Sequence, residues 1–313
     1  MENNTTVANF NVTFGKDEEP LLNYFDSIIY PAFTNETAVK RKENEYLLQN
    51  IELKKLDNTF DKNAQNDKIE DLILTGILIK KTTLEVKSEF DEFGKLINTD
   101  KQIPSAPYSF FTIFLRNHRM ILVKNQKGSP DLITFSSVIK EIIGEYIKSV
   151  SDNENKLPYA RVEVVGVPNK IGVKEALKSV SKIRKLEFKF FPLNNDIDFS
   201  NAFGSVSIDT RKKIGSKTGR IIFGTPSDIT GVEEILSDLH GVVAPEIHVV
   251  YKKGGKGKIT DKEMSENFNL RLPLLNNEEQ IKFEHINDQL DDIEEIKYTS
   301  DENMKLYKTY LLK

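Results

Sequence analysis

Residues 8–14 (Ala-Asn-Phe-Asn-Val-Thr-Phe) alternate apolar and polar side chains with period two, the pattern of a strand with one buried face. After Pro20, Leu21-Leu22, Phe25 and Ile28-Ile29 recur at helical spacing, so the chain is expected to open β then α. The aromatics Tyr24, Phe25, Tyr30 and Phe33 fall on that stripe, which predicts core packing rather than a base-stacking platform. Alternation resumes over 51–56, and the β-branched runs 72–79 and 82–86 make the first half strand-rich. Beyond Pro104-Ser-Ala-Pro107, the apolar runs 110–115 and 120–123 flank Arg116-Asn-His-Arg119 and predict a hairpin, buried on both faces, with a polar turn. Gly128-Ser-Pro130 then precedes a helix with Asp131 as its cap and Leu132, Phe135, Val138-Ile139, Ile142-Ile143 and Tyr146-Ile147 on one stripe.

The polar segment 151–158, ended by Pro158, is the expected domain boundary. After it the pattern reads strand (160–167), helix (173–182), strand (186–191), a long polar excursion, strand (220–223), helix (228–239, capped by Ser227 or Asp228) and strand (246–251). Two β-α-β passes of this kind predict a split-βαβ, ferredoxin-like domain. The expected fold class is therefore α+β: a strand-rich N-terminal domain over 1–150, a smaller split-βαβ domain with basic loops over 158–275, and an acidic C-terminal segment over 276–313.

With 313 residues and 38% hydrophobic side chains, the chain can build its core without staples. It contains no Cys and no Trp, which removes disulfides, thiolate nucleophiles and Cys-ligated metals. No apolar run approaches the length of a membrane span, and the N-terminus lacks the basic start and apolar stretch of a signal peptide, so a cytoplasmic protein is expected.

Charge changes the picture more. The formal net charge is -4, yet two windows, Arg211-Lys-Lys-Ile-Gly-Ser-Lys-Thr-Gly-Arg220 and Lys252-Lys-Gly-Gly-Lys-Gly-Lys258, contain no acid at all. Their cations are Arg211, Lys212, Lys213, Lys217, Arg220, Lys252, Lys253, Lys256 and Lys258. Glycine loops let backbone amides approach phosphate while Lys and Arg neutralise it, so these residues are the candidate nucleic-acid surface, with DNA the expected partner. The plain alternative is a pair of soluble connections that offset the acidic residues of 276–302, which number ten against Lys282 and Lys297. Parallel strands around the second helix would send the two windows to opposite edges of their sheet.

Other chemistry is thinner. Gly215-Ser-Lys-Thr218 lacks both the first glycine and the Gly-Lys pair of a phosphate-binding loop. Glu85-Val-Lys87 and Glu187-Phe-Lys189 could serve a divalent-metal nuclease, with Asp67 or Asp71 for the first and Glu163 for the second as upstream acids. Alternating strands also produce such triplets as solvated outer faces. His118, His240, His248 and His285 show no helical metal-pair spacing, so no metal and no cofactor is expected. A third reading makes the chain an interaction protein or DNA mimic that acts through its acidic segment.

The order Pro104-Ser-Ala-Pro107, buried hairpin, Gly128-Ser-Pro-Asp131, helix, strand Arg161-Val-Glu-Val-Val165, helix and strand Leu186-Glu-Phe-Lys-Phe-Phe-Pro192 resembles the RexA-like proteins of the phage lambda exclusion system and related bacterial phage-defence domain proteins. The similarity covers about residues 100–260 and lies in element order and apolar pattern. It implies a dimeric, DNA-binding, non-enzymatic sensor that acts with a separate effector protein in phage defence, and it carries over no individual residue.

Overall fold

The computed structural model describes residues 3–56, 71–152, 156–194, 210–270, 296 and 299–313. Strand outweighs helix, 44% to 29%, so the fold is a strand-dominated mixture of α and β, as the alternating patterns predict. No helix among the described residues is long and apolar enough to cross a membrane.

The alternating N-terminal segment forms β1 (Asn3–Phe14), the hub of a ten-stranded sheet. After β2 (Glu19–Pro20), residues 21–29 wind through 3-10 and π turns into α1 (Tyr30–Thr34), which seats Phe25 and Phe33 in the core. β3 (Val39–Arg41) and β4 (Asn44–Leu56) lead to β5 (Asp71–Phe90), a strand of 20 residues. β6 (Leu96–Ser105) returns along the outer half of β5, and β7 (Tyr108–Phe114) along its inner half. β8 (Arg119–Lys124) closes the predicted hairpin and pairs with β1. The stripe of α2 (Leu132–Val150) lies in the same core, and the predicted cap is present: Thr134 N–H donates to the Asp131 carboxylate at 2.9 Å.

The topology then departs from expectation. β9 (Ala160–Gly166) pairs with β1 from Ala8↔Gly166 to Phe14↔Ala160, so it belongs to the large sheet. The edge of β1 opposite β8 is open there, and pairing satisfies both strands' backbone groups while burying Val162 and Val165. α3 (Lys170–Leu177) starts earlier than the periodicity predicts, because Asn169 caps it by accepting from Gly172 N–H at 2.7 Å. By Val180 the chain is already in β10 (Val180–Phe190). α4 (Thr210–Lys213), β11 (Gly219–Gly224), α5 (Ile229–Ser237), β12 (Ala244–Tyr251) and β13 (Lys256–Thr260) follow, with Asp228 capping α5.

The second sheet runs β11-β10-β12-β13, with every neighbouring pair antiparallel. β11 and β12 are thus parallel to each other with β10 between them, which is one split β-α-β pass. The expected pair of ferredoxin-like passes is corrected to this single one, since β9 is committed elsewhere. α3 and α5 cover one face of this sheet through Val173, Leu177, Val232 and Leu236. α6 (Asp261–Ser265) and β14 (Glu266–Leu270) carry the chain back to β1, and α7 (Asp301–Leu311) packs on the first core through Tyr307.

Polar contacts join the second sheet to the first. Gly166 N–H donates to the Asp261 carboxylate at 2.7 Å, and Lys262 pairs with Asp131 at 2.7 Å. Burial pushes the Asp261 carboxyl up to about 6, against the lowering effect of the Gly166 hydrogen bond. The folded chain therefore keeps a proton on Asp261 that the unfolded chain releases near pH 4. This contribution to stability is complete below pH 4 and is lost as the pH rises through 6. Asp261→Asn retains an oxygen acceptor for Gly166 and is expected to raise Tm at pH 7 with little change at pH 4, as thermal unfolding at the two pH values will show.

Candidate nucleic-acid interface

The structure divides the nine cations of the two basic windows into three groups. Arg211, on α4, is buried: its guanidinium donates to both carboxylate oxygens of Glu18, at 2.7 and 2.8 Å, and to the Ser216 carbonyl at 2.8 Å. Lys217 donates to the Lys16 carbonyl at 2.7 Å and lies 3.4 Å from the same Glu18 carboxylate. Burial works to raise the Glu18 pKa, but Arg211 and Lys217 hold it below the usual carboxylate value. These two window residues are fasteners between α4 and the β1–β2 turn. Lys252 donates to the Lys178 carbonyl at 2.7 Å and ties its turn to the end of α3.

Lys212, Lys213, Lys253 and Lys256 are exposed. Gly254 and Gly255 take positive φ, 85° and 87°, which lets the β12–β13 connection turn tightly so that Lys256 already begins β13. The second window, expected as a loop, is therefore half strand. The register places the windows at opposite ends of β10: Arg220 lies beside Lys189, and Tyr251, just before Lys252, lies beside Val180.

Strand alternation then joins them. In register across the four strands, Arg220 and Ile222 of β11, Lys182, Lys185, Glu187 and Lys189 of β10, Glu246 and His248 of β12, and Lys256 and Lys258 of β13 share the sheet face opposite α3 and α5. That face carries six Lys or Arg and two Glu, so its net charge is +4 before the neighbouring Glu163 of β9 is counted. From Lys189 to Lys182 it runs about 23 Å at ~3.3 Å per residue.

The two carboxylates organise the cations around them. Glu187 bridges Lys185 at 2.7 Å and Arg220 at 2.9 Å, and the Lys185 hydrogen bond, aided by the Arg220 charge, lowers its pKa. Glu246 bridges Lys258 at 2.6 Å and His248 at 2.7 Å; burial alone would raise its pKa, and these two partners lower it instead. Lys189 reaches Glu163 at 3.4 Å. Glu187 and Glu246 are thus each held ionised by the basic side chains that bond to them. Lys182 and Lys256 stand exposed at the far end of the face.

Sequence reasoning missed Lys182, Lys185 and Lys189 as members of this surface, although Leu186, Phe188 and Phe190 alternate with two of them. The nuclease triplets do not assemble a metal centre among the described residues: no three His, Cys, Asp or Glu cluster there. Glu85 and Lys87 sit on an exposed stretch of β5, 3.9 Å apart, and Asp71, one of their proposed upstream acids, is buried beside Arg116 at 3.0 Å. Asp67 lies outside the described residues.

The Arg116-Asn-His-Arg119 turn is not a solvent-facing tip. All four residues are buried, and His118 has φ of 54°. Asn117 donates to the Ile296 carbonyl, Arg119 to the His240 carbonyl at 2.6 Å, and the turn lies beneath α7. Of the acidic segment 276–313, residues 276–295, 297 and 298 lie outside the described residues, and its C-terminal end is a helix whose Tyr307 is fully buried. No known protein-family model matches this chain, and no curated protein matches it significantly.

Proposed function

We propose that the chain is a non-enzymatic nucleic-acid-binding sensor that engages duplex DNA through the outer face of the β11-β10-β12-β13 sheet. The observation that supports this reading is the convergence of six Lys or Arg from three of the four strands on one face, in a chain of net charge -4. No Phe or Tyr lies among the outer-face positions, and single-stranded partners are usually held by aromatic stacking, so phosphate contact with a duplex fits better. The contacts would position the duplex without reading its bases. The similarity of element order to the RexA-like proteins supports a role in phage defence, with the bound state passed to a separate effector protein.

Each neutralised phosphate releases counterions, so the logarithm of the affinity falls with the logarithm of salt at a slope of about -0.9 per phosphate. Replacing Lys182, Lys256 and Lys258 by Gln is expected to weaken binding to all sequences alike and to make the slope shallower by about 1 for each lysine replaced. Fluorescence anisotropy on labelled duplexes checks this. Plasmid incubated with Mg²⁺ or Mn²⁺ is expected to stay intact; nicking would favour the nuclease reading instead.

A further inference from the structure

β11 is one edge of the second sheet: among the described residues it pairs with β10 alone. Thr225 N–H donates to the Arg184 carbonyl at 3.0 Å, and the backbone groups of an antiparallel strand point to alternate sides residue by residue. The groups of Phe223 and Ile221 therefore turn inward to β10, and those of Arg220, Ile222 and Gly224 turn outward, with no strand beyond them among the described residues. An edge of this kind is usually blunted by lysine, proline or a cover. The opposite edge, β13, carries Lys256 and Lys258, whereas β11 reads Gly-Arg-Ile-Ile-Phe-Gly, with Ile222 56% and Phe223 43% exposed. Strong β formers, a glycine at either end and three outward-facing residues make a template for one more strand.

We infer that the edge of β11 binds an extended segment of another protein, apolar along its middle and acidic at its C-terminal end, antiparallel to β11 like every other pair of this sheet. The backbone selects an extended chain, because only a strand offers donors and acceptors at the spacing of Arg220, Ile222 and Gly224. Side chains select its middle. On the outer sheet face Ile222 takes an apolar neighbour, and on the other face Ile221 and Phe223 do the same, beside Phe188, which Phe223 meets edge-on at 6.2 Å. Charge selects where its acids lie. The turn that enters β11 carries Lys212 and Lys213, both exposed and without an acid partner among the described residues, and Arg220 follows with its side chain 63% exposed. The turn that leaves β11 brings the exposed Asp228, so an acidic neighbour is favoured at the Arg220 end alone.

Fluorescein-labelled Gly-Val-Ile-Val-Glu-Glu, titrated with the full chain, tests this by anisotropy. The central Ile of that peptide lies opposite Ile222 and exchanges both backbone hydrogen bonds with it, so methylating its amide is expected to weaken binding about tenfold or more. Methylating the next Val amide, which points away from β11, is expected to change binding by less than about twofold. Replacing both Glu by Lys is expected to abolish the interaction. Ile222→Pro removes the outward N–H and leaves the ladder to β10 intact, so it is expected to match the loss from the central methyl with an unchanged circular dichroism spectrum. Should that variant fail to fold, the two methylated peptides on the wild-type chain decide. No saturable binding, equal binding of the two methylated peptides, or equal binding of the Lys peptide would overturn the inference. So would a wild-type dimer, seen by light scattering, that Ile222→Pro converts to a monomer, because a second copy would then occupy the edge.

Discussion

Arg211→Ala is expected to destabilise the folded chain by about 3–5 kcal/mol, because it strands the largely buried carboxylate of Glu18 without its bidentate partner. Arg211 is 3% exposed, and its guanidinium fork satisfies Glu18 and the Ser216 carbonyl together. Lys217, at 3.4 Å, is too distant and too mobile a point charge to replace it. A loss of this size is a large fraction of a typical domain's stability. Lys212→Ala, one residue along and exposed, is expected to change stability by less than about 0.5 kcal/mol. Urea unfolding of the two variants separates them, and equal midpoints would show that the Arg211 pair is not structural.

Tyr307→Ala is expected to cost about 3–5 kcal/mol by opening an aromatic-sized cavity in the first core. Tyr307 is fully buried on α7, and its hydroxyl accepts the Leu72 N–H at 2.7 Å, where β5 begins. Tyr307→Phe keeps the ring but leaves that N–H unpaired, so its expected loss is smaller, about 1–3 kcal/mol. The ordering of the two variants in thermal unfolding tests whether α7 is an integral plug. It also changes what truncation means: removing residues 276–313 takes away part of the core along with the acidic run.

The elements with strong local signals are the ones that sequence reasoning places well. The 110–123 hairpin, α2 with its Asp131 cap and α5 with its Asp228 cap follow from runs and caps that neighbours in the chain decide. Pairing partners are different, because nothing near Arg161–Val165 says that β1 has an open edge for it. The turn Arg116–Arg119 is polar by composition, and only the fold puts α7 over it.

The candidate site was legible in part. Clustered Lys and Arg mark where positive charge is dense along the chain, but a charge count treats Arg211 and Lys212 alike, and Glu18, 193 residues away, decides between them. In the other direction, Lys182 and Lys185 lie with Lys178 and Arg184 in a third acid-free run, 178–185, whose apolar spacing makes it read as core-facing secondary structure, and Lys189 is interleaved with Glu187. Strand register gathers them with Arg220, Lys256 and Lys258. The interface is thus a property of the sheet face more than of the two loops that first suggest it.

That claim is tested most directly by the salt dependence of duplex DNA binding, measured side by side for the wild-type chain and for Lys182→Gln with Lys256→Gln. Both residues are exposed and stand at the end of the face away from the Glu187 bridges, so the variant is expected to fold as the wild type does. The predicted result is measurable wild-type binding at about 50 mM salt that falls steeply by about 200 mM, with the variant's slope shallower by about 2. No wild-type binding at low salt, or identical slopes for the two chains, would contradict the assignment of this sheet face.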